Sequence, residues 1–220
     1  LEPEGIDLPG FSYYDTQNGF HIYKNDYALP MGFTFDTYVS RSQWETYSES
    51  DRCNLLLRAL VLEDDAVETY QKDMQKLPDA VHQMSDEDLL AECTERAKTA
   101  CDSFTYNSKG FHATISTDHE NLVFFSVPWE EGWSAEVNGE PVAIEKADIG
   151  FMAVPVPAGD SEITFTYHTP GLKAGALLSL GGLVLFAGYL TVAGIYNKRH
   201  PNPKTESICC VDYSTEETAN

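Results

Sequence analysis

An uncharged run of 23 residues, AGALLSLGGLVLFAGYLTVAGIY at positions 174–196, constrains this chain more than any other feature. As an α-helix it would be roughly 34 Å long, enough to cross a hydrocarbon core of about 30 Å. The alternative is a buried helix of a soluble domain, but such helices are rarely uncharged for so long and seldom contain so many glycines. The run therefore predicts one transmembrane helix, with the lipid bilayer as a partner.

Basic residues flank the predicted span unequally. Lys198, Arg199 and Lys204 follow it, whereas only Lys173 lies at its front edge. Because Lys and Arg are enriched in cytoplasmic flanks, we expect a cytoplasmic C-terminus and place residues 1–170 outside the cell membrane.

Small residues recur on one face of the predicted helix. Gly171, Gly175 and Ser179 are spaced four residues apart, and Gly182 lies close to the same face. Small residues allow another helix to approach closely in lipid. We expect this helix-packing face to contact upstream transmembrane helices of the same parent chain. Glycines scattered through an ordinary single-span anchor are the alternative.

The net charge of −21 resides ahead of the span. Residues 1–170 contain 10 Lys and Arg against 31 Asp and Glu. A field of this sign repels nucleic acid and anionic lipid headgroups. We therefore expect no nucleic-acid partner.

The start of the chain carries no export signal. It lacks an initiator Met, and LEPEGIDLPG has neither the basic nor the apolar region of a signal peptide. If residues 1–170 lie outside the membrane, an upstream segment has to carry them across. We therefore expect this sequence to be the C-terminal piece of a longer chain.

The first part of the chain predicts two helices within a β-rich domain. Ser48 precedes an apolar face and indicates a helix over residues 48–62. Ser85 precedes three acids and indicates a helix over residues 85–99, because a capping serine and early carboxylates favour a helix start. The acidic residues 63–77 between them are expected to form a solvated helix or loop.

Beyond the second helix the apolar period changes to two. Phe111, Ala113 and Ile115 alternate with polar residues, and Asn138 with Gly139 forms a two-residue hairpin signal. Pro155 and Pro157 place their strand at a sheet edge. The pattern predicts a mainly β fold, an antiparallel sandwich or open barrel with a helical insertion. The expected parts are an irregular lead-in (1–19), an extracytoplasmic β-rich domain (20–170), a transmembrane helix (171–197) and a cytoplasmic tail (198–220).

Signals of catalysis are missing from the sequence. It contains no Gly-rich phosphate loop, no G-x-S-x-G, no H-E-x-x-H and no CxxC pair. The acids of residues 86–88 are accounted for by the helix start, and the histidines are scattered over different predicted elements. We therefore predict no catalytic residue, no metal site and no cofactor.

One stretch, PWEEGW at residues 128–133, supports a binding hypothesis. Trp129 and Trp133 flank Glu130 and Glu131 in a loop between two predicted strands. An aromatic ring can stack on the apolar C–H face of a sugar while carboxylates accept its hydroxyl hydrogens, so these four residues are candidates for glycan binding. The alternative is a core Trp133 beside a solvated Glu130-Glu131 turn. A glycosidase pair is disfavoured, because adjacent turn residues usually point apart.

An ordered set of motifs over residues 121–175 resembles the end of the bacterial YfhO family. Its parts are FSVP at 125–128, Gly132-Trp133, Asn138-Gly139, Gly150-Phe151 and Pro170-Gly171. NDYALPMGF at residues 25–33 is similar to the family's Asn and Leu-Pro-x-Gly segment, so the resemblance reaches over most of residues 20–196.

The resemblance implies a polytopic membrane protein similar to GT-C glycosyltransferases. Such proteins use polyprenyl-phosphate-linked sugars to modify cell-envelope polymers such as lipoteichoic acid. Their catalytic acid lies in an early extracytoplasmic loop that this sequence does not contain, so the piece is expected to be non-catalytic by itself, with polyprenyl-linked sugar or envelope glycan as its ligand.

A second hypothesis is a membrane-anchored structural or glycan-binding surface domain without enzymatic activity. It explains the β-rich domain and the anchor equally well, but it leaves the small-residue helix face unexplained. A dedicated carbohydrate-binding module would require the Trp129 ring to be exposed.

Overall fold

The computed structural model describes residues 10–78 and 85–200, in two units, Leu1–Thr169 and Pro170–Asn220. The strands are β1 (Phe11–Gln17), β2 (Phe20–Asn25), β3 (Phe33–Thr34), β4 (Thr37–Ser40), β5 (Leu60–Leu62), β6 (Gln75–Lys76), β7 (Ser103–Asn107), β8 (Gly110–Thr117), β9 (Asn121–Pro128), β10 (Trp133–Val137), β11 (Glu140–Val142), β12 (Glu145–Ala147), β13 (Phe151–Val156) and β14 (Gly159–Tyr167). The helices are α1 (Arg41–Thr46), α2 (Glu49–Leu55), α3 (Asp64–Tyr70), α4 (Asp86–Lys98) and α5 (Leu172–Arg199).

The strands of the first unit form three sheets. The order is β1-β2 in a two-stranded sheet, β11-β10-β14-β8-β7 in a five-stranded sheet and β3-β9-β13-β12-β5-β4-β6 in a seven-stranded sheet. The prediction of a mainly β fold with helical insertions and a C-terminal apolar helix is confirmed. The strand pairs are antiparallel apart from those of β4, which pairs in parallel with both β5 and β6.

A first hydrophobic core lies between the five-stranded and seven-stranded sheets. The alternating side chains Phe111, Ala113 and Ile115 of β8 are 6%, 0% and 3% exposed. They cluster with Phe125 from the seven-stranded sheet and Phe165 from β14. Burying a side chain such as Phe stabilises the fold by about 1.5–3 kcal/mol, so this interior is the main reason that the two sheets stay together.

The seven-stranded sheet is covered on both faces. Successive residues of β9 belong to different clusters, with Val123 in the first core and Phe124 in a second one that includes Ala66 of α3. A third cluster joins Trp44 of α1 to Leu55 of α2. The middle position of this sheet explains why residues 122–125 are apolar at consecutive positions.

Two local predictions are confirmed by backbone geometry. Asn138 and Gly139 have φ values of 54° and 80° and turn β10 into the antiparallel β11. Both central residues of such a turn need positive φ, which Asn and Gly adopt at low cost. Ser85 caps α4 and forms a reciprocal capping box with Asp88.

The predicted helix over residues 48–62 is wrong in its second half. Ser48 caps α2 as expected, but the helix ends at Leu55. Residues 60–62 instead form β5, which lies between β12 and β4 in the sheet. All three of its side chains are buried. A short apolar run with a central β-branched valine fits a buried strand as well as a helix face, and the sheet decides between them.

Two further expectations need correction. The lead-in over residues 1–19 is not irregular throughout, because β1 (Phe11–Gln17) pairs with β2 around Asn18 and Gly19, which both have positive φ. The strand containing Pro155 is not at an edge, since β13 lies between β9 and β12. Pro155 is tolerated because β12 pairs only with residues 151–153 and ends before it.

The second unit contains α5, a helix of 28 residues with no buried side chain. Within residues 10–78 and 85–200, it is the one helix long and apolar enough to cross a bilayer. Gly171 precedes the helix as its N-cap with φ 75°, so it belongs to the helix start rather than to the helical face. The predicted tail beyond residue 200, including Lys204, lies outside the described residues.

Candidate functional site

A groove of about 520 Å³ opens at one end of the five-stranded sheet. It lies where the β7–β8 turn, the end of β9, the start of β10 and the end of β14 come together. Its lining residues are Phe104, Tyr106, Asn107, Ser108, Lys109, Gly110, Phe111, Val127, Pro128, Glu130, Trp133 and Tyr167.

The floor of the groove is aromatic. The Trp133 ring contacts Phe111 edge-on at 5.6 Å between centroids, and it lies 5.0 Å from the ring of Tyr167. The Phe104 and Phe111 ring centroids are 5.3 Å apart. Trp133 is half-buried, so part of its surface stays available, whereas Tyr106 at the rim is 82% exposed. Aromatic surfaces of this kind hold the apolar face of a ligand.

A carboxylate and a hydroxyl face each other at the wall. The Tyr167 hydroxyl donates a hydrogen bond of 2.8 Å to Glu130 Oε2. This bond to the Glu130 carboxylate raises the pKa of Tyr167 above its ordinary value. The pair therefore offers a fixed acceptor, with a protonated hydroxyl beside it, to a ligand that carries hydroxyl groups.

The loop over residues 129–133 is held at both ends, against the residue before β13 and the residue after β14. The Trp129 N–H donates to Gly150 O at 2.8 Å, and the His168 N–H donates to Gly132 O at 2.8 Å. A Cβ on Gly132 would lie 2.6 Å from both His168 O and the Tyr167 ring. Only glycine allows this approach, so Gly132 positions Glu130 and Trp133 at the groove.

The structure brings together two of the four residues predicted for glycan binding. Glu130 and Trp133 line the groove. Trp129 is half-buried against the first core, and Lys146 Nζ lies 4.0 Å from its ring centroid. Glu131 is exposed outside the groove lining. The Trp129 ring is therefore not presented as an open stacking surface, which a dedicated module with Trp129 at its centre would require.

Sequence reasoning missed the contribution of the β7–β8 hairpin. Tyr106, Asn107 and Lys109 come from its strand and turn, at least twenty residues ahead of Trp129 and Trp133. Lys109 O accepts a 2.7 Å hydrogen bond from the Tyr167 N–H, which holds this turn beside β14. An exposed tyrosine beside an Asn-Ser-Lys-Gly turn was the available signal, but the sequence does not show which strand the turn would meet.

The described residues show no cluster of three or more His, Cys, Asp or Glu side chains that could hold a metal ion. The described cysteines, Cys53, Cys93 and Cys101, are free. Burial raises the pKa of the Cys101 thiol to about 12, so it is protonated at neutral pH and a poor nucleophile. The chemistry that the groove supports is binding through aromatic and polar contacts.

A β-rich domain with an aromatic groove, followed in the chain by an apolar helix of spanning length, is the organisation of a membrane protein that carries a folded domain outside the bilayer core. The model of a family described as bacterial membrane protein YfhO matches residues 70–179, half of the chain. The chain belongs to this family, which confirms the resemblance seen in the sequence.

One relative is the uncharacterized protein YfhO of Bacillus subtilis (strain 168), which is 30% identical over 121 residues. The aligned part is 55% of this chain but only 13% of that protein. No solved structure matches the chain.

Proposed function

We propose that this chain is the C-terminal part of a membrane glycosyltransferase, and that its β-rich domain binds cell-envelope glycan in the groove between Tyr106 and Glu130. The observation that carries the glycan proposal is the aromatic floor of the groove with the Glu130–Tyr167 pair at its wall. Sugar rings are recognised by this combination, an aromatic face for the C–H surface and fixed polar groups for the hydroxyls.

The charge of the domain narrows the ligand to a neutral or cationic glycan. Glu130 contributes a carboxylate to the groove, Lys109 is the single basic residue of its lining, and the residues up to 170 carry 31 acids against 10 bases. Such a field disfavours a polyanion. A neutral glycosyl group of an envelope polymer such as lipoteichoic acid fits these conditions, whereas the phosphate-bearing backbone of that polymer does not.

The transferase half of the proposal rests on family membership and on the small-residue face of α5. Gly175, Ser179 and Gly182 would let a neighbouring span approach, as a polytopic enzyme requires. In this proposal the β-rich domain is extracytoplasmic, the C-terminus is cytoplasmic, and the polyprenyl-phosphate-linked sugar reacts in a part of the protein outside these residues. The domain itself supplies acceptor binding without catalysis.

Glycan binding is tested with a matched pair of tyrosines. The full chain is reconstituted in phosphatidylcholine nanodiscs, and neutral oligosaccharides released from the phosphate backbone of lipoteichoic acid are titrated by calorimetry. Tyr106→Ala removes the exposed ring at the groove, and Tyr14→Ala removes a ring of similar exposure, 70%, outside it. We expect Tyr106→Ala to weaken binding about threefold to tenfold and Tyr14→Ala to leave it unchanged. Equal affinities for both variants and the unsubstituted chain would overturn the groove assignment.

The transferase part is tested separately by reading the coding region upstream of Leu1. About ten hydrophobic spans with an Asp or Glu in the first outward loop are expected. A signal peptide directly ahead of the domain would leave the competing hypothesis, an anchored surface domain without enzymatic activity.

A further inference from the structure

We propose that a polar pocket, at the end of the first hydrophobic core opposite the groove, binds a small hydroxylated ammonium compound such as an amino sugar. The pocket has a volume of about 430 Å³, and every residue that lines it is polar. A volume of this size is typical of sites for small ligands. Because the described lining contains no Phe, Tyr, Trp or aliphatic residue, the pocket favours a compact hydrophilic ligand.

The strands place this pocket far from the groove. β8 begins at Gly110, which lines the groove, and ends at Thr117, which lines the pocket. These two residues are roughly 23 Å apart, since an antiparallel strand rises about 3.4 Å per residue. β9 returns from Asn121 at the pocket to Pro128 at the groove. The pocket is therefore a separate site, and the proposal does not depend on glycan binding in the groove.

The floor of the pocket lies where the apolar pattern of the first core stops. Residues two apart on a strand share a sheet face, so Asn121 lies on the same face as Val123, a residue of that core. Thr34 is directly opposite Val123 in the register of β3 and β9. Asn121 is 4% exposed and Thr34 is 5% exposed. Two buried polar side chains therefore replace apolar ones at this end of the core.

Both floor residues have hydrogen-bonding groups that the protein does not use. Asn121 Oδ1 accepts the Leu122 N–H at 2.7 Å, but Asn121 Nδ2 has no partner among the described residues. The Thr34 hydroxyl has none there either, although Arg96 Nη1 donates to the Thr34 carbonyl oxygen at 2.7 Å. Neither atom is sealed inside the protein. Since buried polar groups are rarely left unpaired, we expect these two groups to meet oxygen atoms of a ligand.

The rim of the pocket carries negative charge that no basic group balances. Asp36 and Asp118 are exposed in the lining, and neither forms an ion pair with another described residue. Lys98 also belongs to the lining, but its Nζ lies 2.6 Å from Glu95 Oε1 and is thereby neutralised. Carboxylates form strong hydrogen bonds with ammonium groups. The two free carboxylates therefore select a ligand with a protonated amine.

A metal ion fits the pocket less well than an organic cation does. The part of the chain that the structure describes contains no group of three or more His, Cys, Asp or Glu side chains that could hold a metal. The Asn121 amide also presents N–H groups, which bind oxygen acceptors and not cations. A compound with an ammonium group and hydroxyl groups matches both the rim and the floor. Water alone in the pocket is the alternative.

The proposal is tested by ligand-observed NMR titration of the full chain in phosphatidylcholine nanodiscs. All chains carry Tyr106→Ala, so that binding in the groove contributes little. Glucosamine and glucose are compared at about pH 6, below the pKa of an amine, because they differ only in an ammonium group that replaces one hydroxyl. The double variant Asp36→Asn with Asp118→Asn removes both free carboxylates. Glu136→Gln with Glu140→Gln is the control, since it removes two exposed carboxylates outside the pocket.

We expect glucosamine to bind about threefold to tenfold more tightly than glucose. The double aspartate variant should abolish this preference, and the double glutamate variant should keep it. Equal affinities for the two sugars before these substitutions, or a preference that persists in the double aspartate variant, would overturn the proposal. A lack of any binding would also overturn it and would leave a pocket that holds only water.

A further variant tests the floor of the pocket. Thr34→Val replaces the free hydroxyl by a methyl group of similar size, so the fold should tolerate it. We expect it to weaken the binding of glucosamine and of glucose alike, by roughly twofold to tenfold, because each loses one hydrogen bond. Unchanged binding of both sugars would contradict the assignment of the floor. None of these outcomes bears on glycan binding in the groove, since the substituted aspartates and Thr34 lie outside its lining.

Discussion

The first hydrophobic core, between the five-stranded and seven-stranded sheets, and the β1–β2 hairpin both contain aromatic residues in antiparallel strands. The two regions differ in how much of these aromatic side chains the rest of the protein buries. Phe111, Phe125 and Phe165 lie in antiparallel strands and are at most 6% exposed. Phe20 and Tyr14 also lie in antiparallel strands, yet more than two thirds of each is exposed. Local sequence determines that both regions form β-structure, but their tertiary surroundings determine whether the aromatic residues stabilise the fold or stay exposed.

We therefore expect the free energy of unfolding to depend on the core between the five-stranded and seven-stranded sheets and not on the hairpin. An isolated two-stranded hairpin is at best marginally stable in water, whereas a strand paired on both sides above a buried core is not easily opened. The predictions below compare matched residues from the two regions, starting with the largest expected difference.

The first comparison truncates one phenylalanine in each region. Phe165→Ala removes a ring that is 1% exposed and stacked on Phe111 at 4.4 Å, so we expect a loss of about 3–5 kcal/mol in the free energy of unfolding. Phe20→Ala should change it by less than about 0.5 kcal/mol. Urea unfolding of the full chain in detergent, followed by tryptophan fluorescence, measures both. A large loss with Phe20→Ala would show that the hairpin packs on the domain.

The second comparison concerns two aspartates with opposite pKa shifts. Asp148 is buried, and its Oδ1 accepts the Val61 N–H at 2.9 Å, which ties the β12–β13 turn to β5. Burial raises the pKa of Asp148 to about 7, and the bond to Val61 offsets this only in part. In an unfolded chain the pKa would be about 3.9, so the folded state holds this proton over a wider pH range.

Stability should therefore fall as pH rises from about 4 to about 7, by as much as about 4 kcal/mol from Asp148 alone. Asp148→Asn keeps an acceptor for Val61 and removes the titration, so the variant should lack this decrease and be more stable than the unsubstituted chain at pH 8. Asp15→Asn in the hairpin is the control, since hydrogen bonds from Gln17 and Thr16 lower the pKa of Asp15, the opposite direction to the shift at Asp148. Parallel pH profiles for the unsubstituted chain and Asp148→Asn would contradict the buried assignment.

The third comparison adds one methyl group at a glycine in each region. A Cβ at Gly110 would lie 1.9 Å from Phe165 O, so the backbones of β8 and β14 would have to separate. We expect Gly110→Ala to cost about 1–3 kcal/mol and to widen the groove beside it. Gly19→Ala meets no atom within 4 Å but has φ 81°, so its strain should stay in the hairpin turn.

Hydrogen exchange of the full chain separates the two glycine effects. Gly110→Ala should speed exchange along β8 and β14, whereas Gly19→Ala should speed it only between β1 and β2. Faster exchange across the sandwich in Gly19→Ala would mean that the two regions are coupled.

Sequence patterns predicted the elements whose signals are local. Asn138 with Gly139 specifies its turn through backbone conformation, and Ser85 with Asp88 specifies a helix start through hydrogen bonds three residues apart. The alternation of Ile163 with Phe165 indicates a strand wherever that strand later packs. These signals needed no knowledge of the rest of the chain.

Other features depend on distant partners and could not be read in this way. Residues 60–62 became a strand because β4 and β12 flank them, although their apolar pattern also fits a helix face. The β7–β8 side of the groove was missed for the same reason. Tyr106 and Trp133 line one groove only because β7, β8, β14 and β10 pair in that order. Asp148 and Ile149 adopt φ values of 45° and 74° without a glycine, held in a turn by contacts to β5.

The most direct test of the central claim is to measure sugar incorporation into the envelope polymer in cells of the native host. The gene that encodes this chain carries either Tyr106→Ala or, as the control, Tyr14→Ala, and the amount of each variant in the membrane is measured alongside. The account predicts that incorporation falls severalfold with Tyr106→Ala at an unchanged protein level, and that it is retained with Tyr14→Ala. Full incorporation with Tyr106→Ala would contradict the claim that the groove serves a glycan-modifying enzyme.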